Sequence, residues 1–139
     1  MRLSLYLTLM VWGQLLLGQT GTLTIQVEGL RNPKGKVQCY LYNYAEAHLN
    51  IEKAYKSFRL EVKGDIAKIK LEDIPNGEYS LGLFHDENED AICNLNFFGI
   101  PVEGYGFSRN YRVMFRAPKF EETNFRVDGD TLLKVSVIY

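Results

Sequence analysis

At 139 residues the chain is long enough for one well-buried core and short for two ordinary domains. Sixteen basic and 17 acidic side chains leave a formal charge of −1, and the bases stand singly rather than in a stripe. That excludes an electrostatic footprint for nucleic acid and gives no reason to expect an anionic membrane surface as partner.

The N-terminus reads as a leader. Met1-Arg2 carries one positive charge, Leu3 to Leu17 is apolar apart from Ser4, Thr8 and Gln14, and Gly18, Thr20 and Gly21 are small. A charged start, a short apolar stretch and small residues make a secretory signal peptide. Residues 1–21 are therefore expected to be removed, with cleavage near Gly18–Gly21, leaving 22–139 as one exported domain in the periplasm, secreted, or at the cell surface. The apolar run falls short of the ~20 residues of a spanning helix, so no membrane span is expected after cleavage.

From Thr22 onward the period is two. Leu23, Ile25 and Val27 alternate with Thr24 and Gln26; Val37, Cys39 and Leu41 alternate with Gln38, Tyr40 and Tyr42; Phe58, Leu60 and Val62 alternate with Arg59 and Glu61. The same rhythm continues from Ile66 to Leu71, and from Leu133 through Val135 and Val137 to Tyr139. Such runs are strands with one dry face. Asn32-Pro33-Lys34-Gly35, Lys63-Gly64-Asp65, Pro75-Asn76-Gly77 and Asp128-Gly129-Asp130 separate them and are expected to be hairpin turns. The fold class is all-β: an antiparallel β-sandwich of about seven strands, immunoglobulin-like or transthyretin-like. Residues 43–56 suit a helical turn instead, and 86–110 form a long excursion of the kind that usually carries function. Leu23, Ile25, Val37, Leu41, Leu60, Ile69, Leu81, Leu83, Val135 and Val137 form the expected core. Cys39, inside an alternating run, reads as a small buried hydrophobe, so Cys39 and Cys93 are expected to be free thiols rather than a bridge.

The excursion begins HDENEDAICN, dense in oxygen ligands. Asp86, Asn88 and Asp90 hold the first, third and fifth positions of a calcium loop, with the Ile92 carbonyl seventh and Asn94 ninth. Against this, the glycine expected sixth is Ala91, and Phe97 replaces the bidentate glutamate expected twelfth. A left-handed Ala91 costs on the order of 1 kcal/mol. The competing reading is a solvated acidic turn held by its own Asx-turns. Catalysis has less to recommend it. His85 and Asp86 are neighbours on a strand and point to opposite faces, GFSRN is no nucleophile elbow, and a zinc site from His85, Asp90 and Cys93 follows no common spacing. No catalytic residue is assigned, and calcium is the one cofactor the pattern suggests.

The continuation, LNFFGIPVEGYGFSRN, carries a resemblance. His85, Asp86, Asn88, Asp90, Asn96, Phe97, Gly99, Ile100, Pro101, Glu103, Gly104, Tyr105, Gly106, Phe107, Ser108 and Asn110 match the pattern of an exported bacterial family, domain of unknown function 2141. Ala91 and Asn94 depart from it, where the family has glycine and aspartate. The resemblance extends over the whole exported chain and implies an exported β-sandwich related to transthyretin-like modules; it implies no activity. Phe97, Phe98, Tyr105 and Phe107 are expected to fold back and cap the sandwich. The alternative function is carbohydrate or peptide binding on outward-facing Tyr40, Tyr42 and Tyr44, with a protein or glycan as partner. A small hydrolase ranks below both, and a sheet edge or tyrosine face offered to an outer-membrane or secretion assembly is a third possibility.

Overall fold

Branched and aromatic residues at every second position fit a pleated surface with one dry face, and the chain follows that rule from Thr20. In the computed structural model, which describes residues 18–139, β1 is Thr20–Glu28, β2 Lys36–Tyr42, β3 Lys56–Glu61 and β4 Ile66–Pro75. β5 is Gly77–Asp86, β6 Tyr105–Phe107, β7 Phe125–Val127 and β8 Thr131–Ser136. The expected leader falls mostly on residues 1–17, outside the described residues, and β1 starts at Thr20, ahead of the expected Thr22. Residues 43–56 hold two 3-10 turns, Ala45–Ala47 and Ile51–Lys53. One helical turn, α1 (Phe120–Thr123), gave no periodic signal at its length.

Two sheets face each other, one ordered β4-β1-β8, the other β3-β2-β5-β6 with β7 also paired to β5. This is the expected sandwich, with eight strands rather than about seven. The extra strands β6 and β7 are three residues each, too short to show a period. One pairing departs from antiparallel: β1 and β8 run parallel, from Leu23 opposite Thr131 to Glu28 opposite Ser136. A hairpin enforces antiparallel order, and almost the whole domain lies between these two strands.

The four turns are where expected, but none is a hairpin within one sheet. β1 passes to β2, β3 to β4, β4 to β5 and β7 to β8 across the two sheets. The turn at Gly64-Asp65 is closed locally by the Lys63 N–H donating to the Ile66 carbonyl at 3.0 Å, yet its flanking strands diverge into opposite layers. True neighbours are β1 with β4, and β2 with β3 and β5.

Between the sheets lie Leu23, Ile25, Val37, Leu41, Leu60, Leu81, Leu83, Val135 and Val137 as expected, with Ile69 packed at the margin. Cys39 is fully buried among them; both cysteines are free. Val27, Leu30, Ala67, Ile74, Tyr79, Val127 and Leu133 join. The outer face of the five-stranded sheet is also largely covered. Gln38, Tyr42, Ser80 and Asp86, all on its outward phase, are buried.

Candidate functional site

β5 delivers two polar residues in succession at its end, and its pleat sends them opposite ways. His85 follows Leu81 and Leu83 into the interior and is fully buried. Its Nε2 lies 2.7 Å from the Lys34 carbonyl and so must donate; its Nδ1 lies 2.6 Å from the Tyr139 hydroxyl, from which the neutral ring accepts. The same hydroxyl accepts the Arg31 N–H, and the Arg31 guanidinium lies over the Tyr139 ring. Both nitrogens of His85 are thus engaged in tying the C-terminus and the β1–β2 connection to β5. Gly104 makes this possible: a Cβ there would meet the Tyr139 ring at 2.3 Å.

Asp86 points the other way. It is 1 % exposed, and its Oδ1 accepts the Asp90 N–H while Oδ2 accepts the Ala91 N–H and the Gln38 side chain at 2.9 and 3.0 Å. These bonds wrap residues 87–91 around the carboxylate, and the wrap requires left-handed backbone at Glu89 and Ala91, φ 59° and 60°. The position at which a calcium loop expects glycine is therefore left-handed, and this chain places alanine in it.

Asp90 is exposed and organises the next turn. Its Oδ1 accepts the Ile92 N–H at 2.8 Å, and its Oδ2 accepts the Asn88 and Asn94 amides at 2.9 and 3.2 Å. The Ile92 hydrogen bond, with help from the two asparagines, holds its carboxyl below the usual range. Asn88 and Asn94, expected as ligands, here donate to Asp90. The Ile92 carbonyl accepts from the Asn94 amide.

The chain then doubles back. Leu95 bridges Pro101, the Val102 N–H donates to Asn94, and the Asn96 N–H donates to Ile100. Asn96 pins the tip by accepting from Phe98 and Ile100, and Gly99 turns it with φ 75°. The ribbon returns Glu103 to the start of the loop. Ligand atoms of Asp86, Asp90 and Glu103 all lie within 4.8 Å of one another. Glu103 is 8 % exposed, and burial together with the charges of Asp86 and Asp90 pushes its carboxyl upward. No cation pairs with any of the three among the described residues. Sequence spacing missed Glu103 as a companion of Asp86 because it returns only through the ribbon; its place in the family pattern was the one available signal.

The aromatic expectations divide. Tyr105 is buried and Phe107 half-buried, but Phe97 and Phe98 stand 97 % and 81 % exposed at the ribbon tip and cap nothing. The tight Asn96–Ile100 turn points them outward. Tyr42 is 2 % exposed, since the 3-10 segment folds over it and His48 meets its ring edge-on, Tyr40 is half-covered against Phe84, and Tyr44 stands exposed. Ser108 of GFSRN is buried as well. Its Oγ accepts the Leu81 N–H and donates to the Thr123 carbonyl, a structural role. Among the described residues no helix is long and apolar enough to cross a membrane.

A family model described as an uncharacterized protein conserved in bacteria (DUF2141) matches residues 25–134. No curated protein and no solved structure matches the chain.

Proposed function

Since the chain belongs to the bacterial family catalogued as domain of unknown function 2141, for which no activity is assigned, we propose that it is an exported, non-enzymatic β-sandwich module that binds calcium at Asp86, Asp90 and Glu103. The observation that carries this reading is the convergence of three carboxylates within 4.8 Å, two of them buried, with no pairing cation among the described residues. Oxygen ligands of calcium sit about 2.3–2.6 Å from the ion, so opposed ligands are roughly 4.6–5.2 Å apart. The cluster fits that sphere. Asp86 Oδ1 and Asp90 Oδ1 each accept a single N–H and keep a lone pair, so Asp86 and Asp90 can take an ion without dismantling the turn.

Burial raises Glu103 most, and a cation offsets the further rise that the charges of Asp86 and Asp90 add. Of the original five ligands, Asp86 and Asp90 stay in this reading, Asn88 and Asn94 support Asp90, and Ile92 contributes only its backbone. The non-enzymatic part rests on His85 and Ser108, whose polar atoms are spent on structural hydrogen bonds. Export rests on the pattern of residues 1–21.

Titration of the purified domain with calcium chloride, read as melting temperature, tests the site. At tenfold excess over the dissociation constant, linkage adds about 1.4 kcal/mol. Glu103→Gln or Asp90→Asn is expected to remove the calcium-dependent shift, and Ala91→Gly with Asn94→Asp to move it to lower calcium. Absence of any shift in the millimolar range, where extracellular modules bind, refutes the site. Intact mass of the chain recovered outside the cytoplasm, lacking residues 1–18 at least, tests export.

A further inference from the structure

The outer face of the five-stranded sheet carries a second feature. One face of a sandwich sheet is ordinarily wet and polar, yet the outward phase of β2 and β5 places Tyr40, Tyr42, Gly82 and Phe84 side by side. Leu49 and Ile51 of the 3-10 segment, and Cys93, Leu95 and Pro101 of the long loop, stand around this floor and leave a cleft of about 320 Å³. Small-molecule sites begin at roughly 300 Å³. The lining contains no charged residue.

Rings dominate the lining: Tyr105 and Phe107 join Tyr40, Tyr42 and Phe84. Tyr40 and Phe84 are nearly parallel, 6.3 Å apart and 17° from coplanar. Gly82 keeps the floor open, since a Cβ there would already sit 3.4 Å from the Phe107 ring and 3.7 Å from Leu49. Tyr42 supplies the polar contact. It is 2 % exposed and lines the cleft, and its hydroxyl has no protein hydrogen-bond partner among the described residues. Buried hydroxyls ordinarily have one. Among the described residues the sealed side-chain polar atom without a partner is His48 Nδ1 and not the Tyr42 hydroxyl, and Tyr42 lines the cleft.

We propose that this cleft binds a small, uncharged aromatic molecule carrying one hydrogen-bonding group, with the ring against Tyr40 and Phe84 and the polar group at the Tyr42 hydroxyl. Offset and edge-on ring contacts favour an aromatic body over a flexible chain, and the absence of lining charge disfavours an ion, whose desolvation nothing would repay. This site is separate from the carboxylate cluster, and neither reading needs the other.

The probe is N-phenyl-1-naphthylamine, a neutral aromatic amine with one N–H whose fluorescence rises on leaving water, titrated into the exported chain. Saturable binding of one probe per chain is expected, displaced by 1-naphthol and not by 1-decanol. Gly82→Leu, which fills the floor, should weaken it at least tenfold, and Tyr42→Phe should weaken 1-naphthol by roughly three- to tenfold. Should Gly82→Leu fail to fold, the native thiol decides. Cys39 is fully buried and Cys93 half-buried at the cleft, so N-ethylmaleimide is expected to modify Cys93 alone. Bound probe should slow that reaction, and the alkylated chain should lose probe binding. Non-saturable fluorescence, or undiminished binding after alkylation of Cys93, overturns the site; displacement by 1-decanol and not 1-naphthol overturns the aromatic assignment.

Discussion

Ala91→Gly isolates the backbone cost of the acidic loop. Ala91 sits at φ 60°, where Cβ crowds the following carbonyl, a conformation that costs an L-residue about 1–2 kcal/mol. Glycine removes that cost but gains freedom in the unfolded chain, which offsets roughly 0.4–1 kcal/mol. The side chain is exposed and the N–H to Asp86 Oδ2 is retained in the variant, so no packing or hydrogen bond is lost. The net expectation is a stabilisation of about 0.5–1 kcal/mol. For a domain of this size that is an increase in melting temperature of roughly 2–4 °C. Calorimetry in chelator, with urea unfolding as a second measure, keeps the backbone effect apart from any ion. Gly99→Ala is the mirror experiment: its φ is 75°, nothing lies within 4 Å of the added Cβ, and it should lose about 1 kcal/mol. A lower melting temperature for Ala91→Gly in chelator would refute the left-handed turn and, with it, the wrap around Asp86.

Tyr139→Phe deprives the buried Nδ1 of His85 of its donor and should destabilise the fold by about 1–3 kcal/mol in urea titration; an unchanged midpoint would mean that the C-terminus is not anchored there. Leu81→Ala opens a cavity at a fully buried position and should lose about 2–5 kcal/mol, so thermal unfolding at wild-type temperature would contradict the phase assigned to β5. Glu122 is held down to about 2 by the Arg116 guanidinium, helped by the Lys119 N–H. A lowered carboxyl adds stability above its ordinary value of 4.5, and that contribution drains away as pH falls from 4.5 toward 2. Carboxyl NMR titration should find Glu122 still ionised at pH 3.5, and Arg116→Ala should return it toward the ordinary range. The pair is exposed, so global stability should hardly change.

Alternation with a period of two is a local property, and it settled the longer strands, the apolar phase of the core, the opposed facing of His85 and Asp86, and the sandwich class. The turns were legible for the same reason, because Gly, Pro, Asn and Asp mark a reversal wherever the flanking strands go. Their partners were not legible. Asn32-Pro33-Lys34-Gly35 and Pro75-Asn76-Gly77 reverse the chain in the manner of hairpins, and only the packing of two dry faces sends β1 and β2, or β4 and β5, into opposite layers. The parallel pairing of β1 with β8 is likewise a matter of which edge remained to be filled at the end of the chain. The site divides along the same line. Asp86 and Asp90 announce themselves by spacing, and the strain at Ala91 follows from the missing glycine. Glu103 belongs with them only because the 94–102 ribbon folds back, a set of contacts made across the loop rather than along it. Tyr42 reads as outward by phase and is buried by a segment that carries no strand signal. Period fixes which face of a strand a residue is on; what covers that face is decided by distant chain.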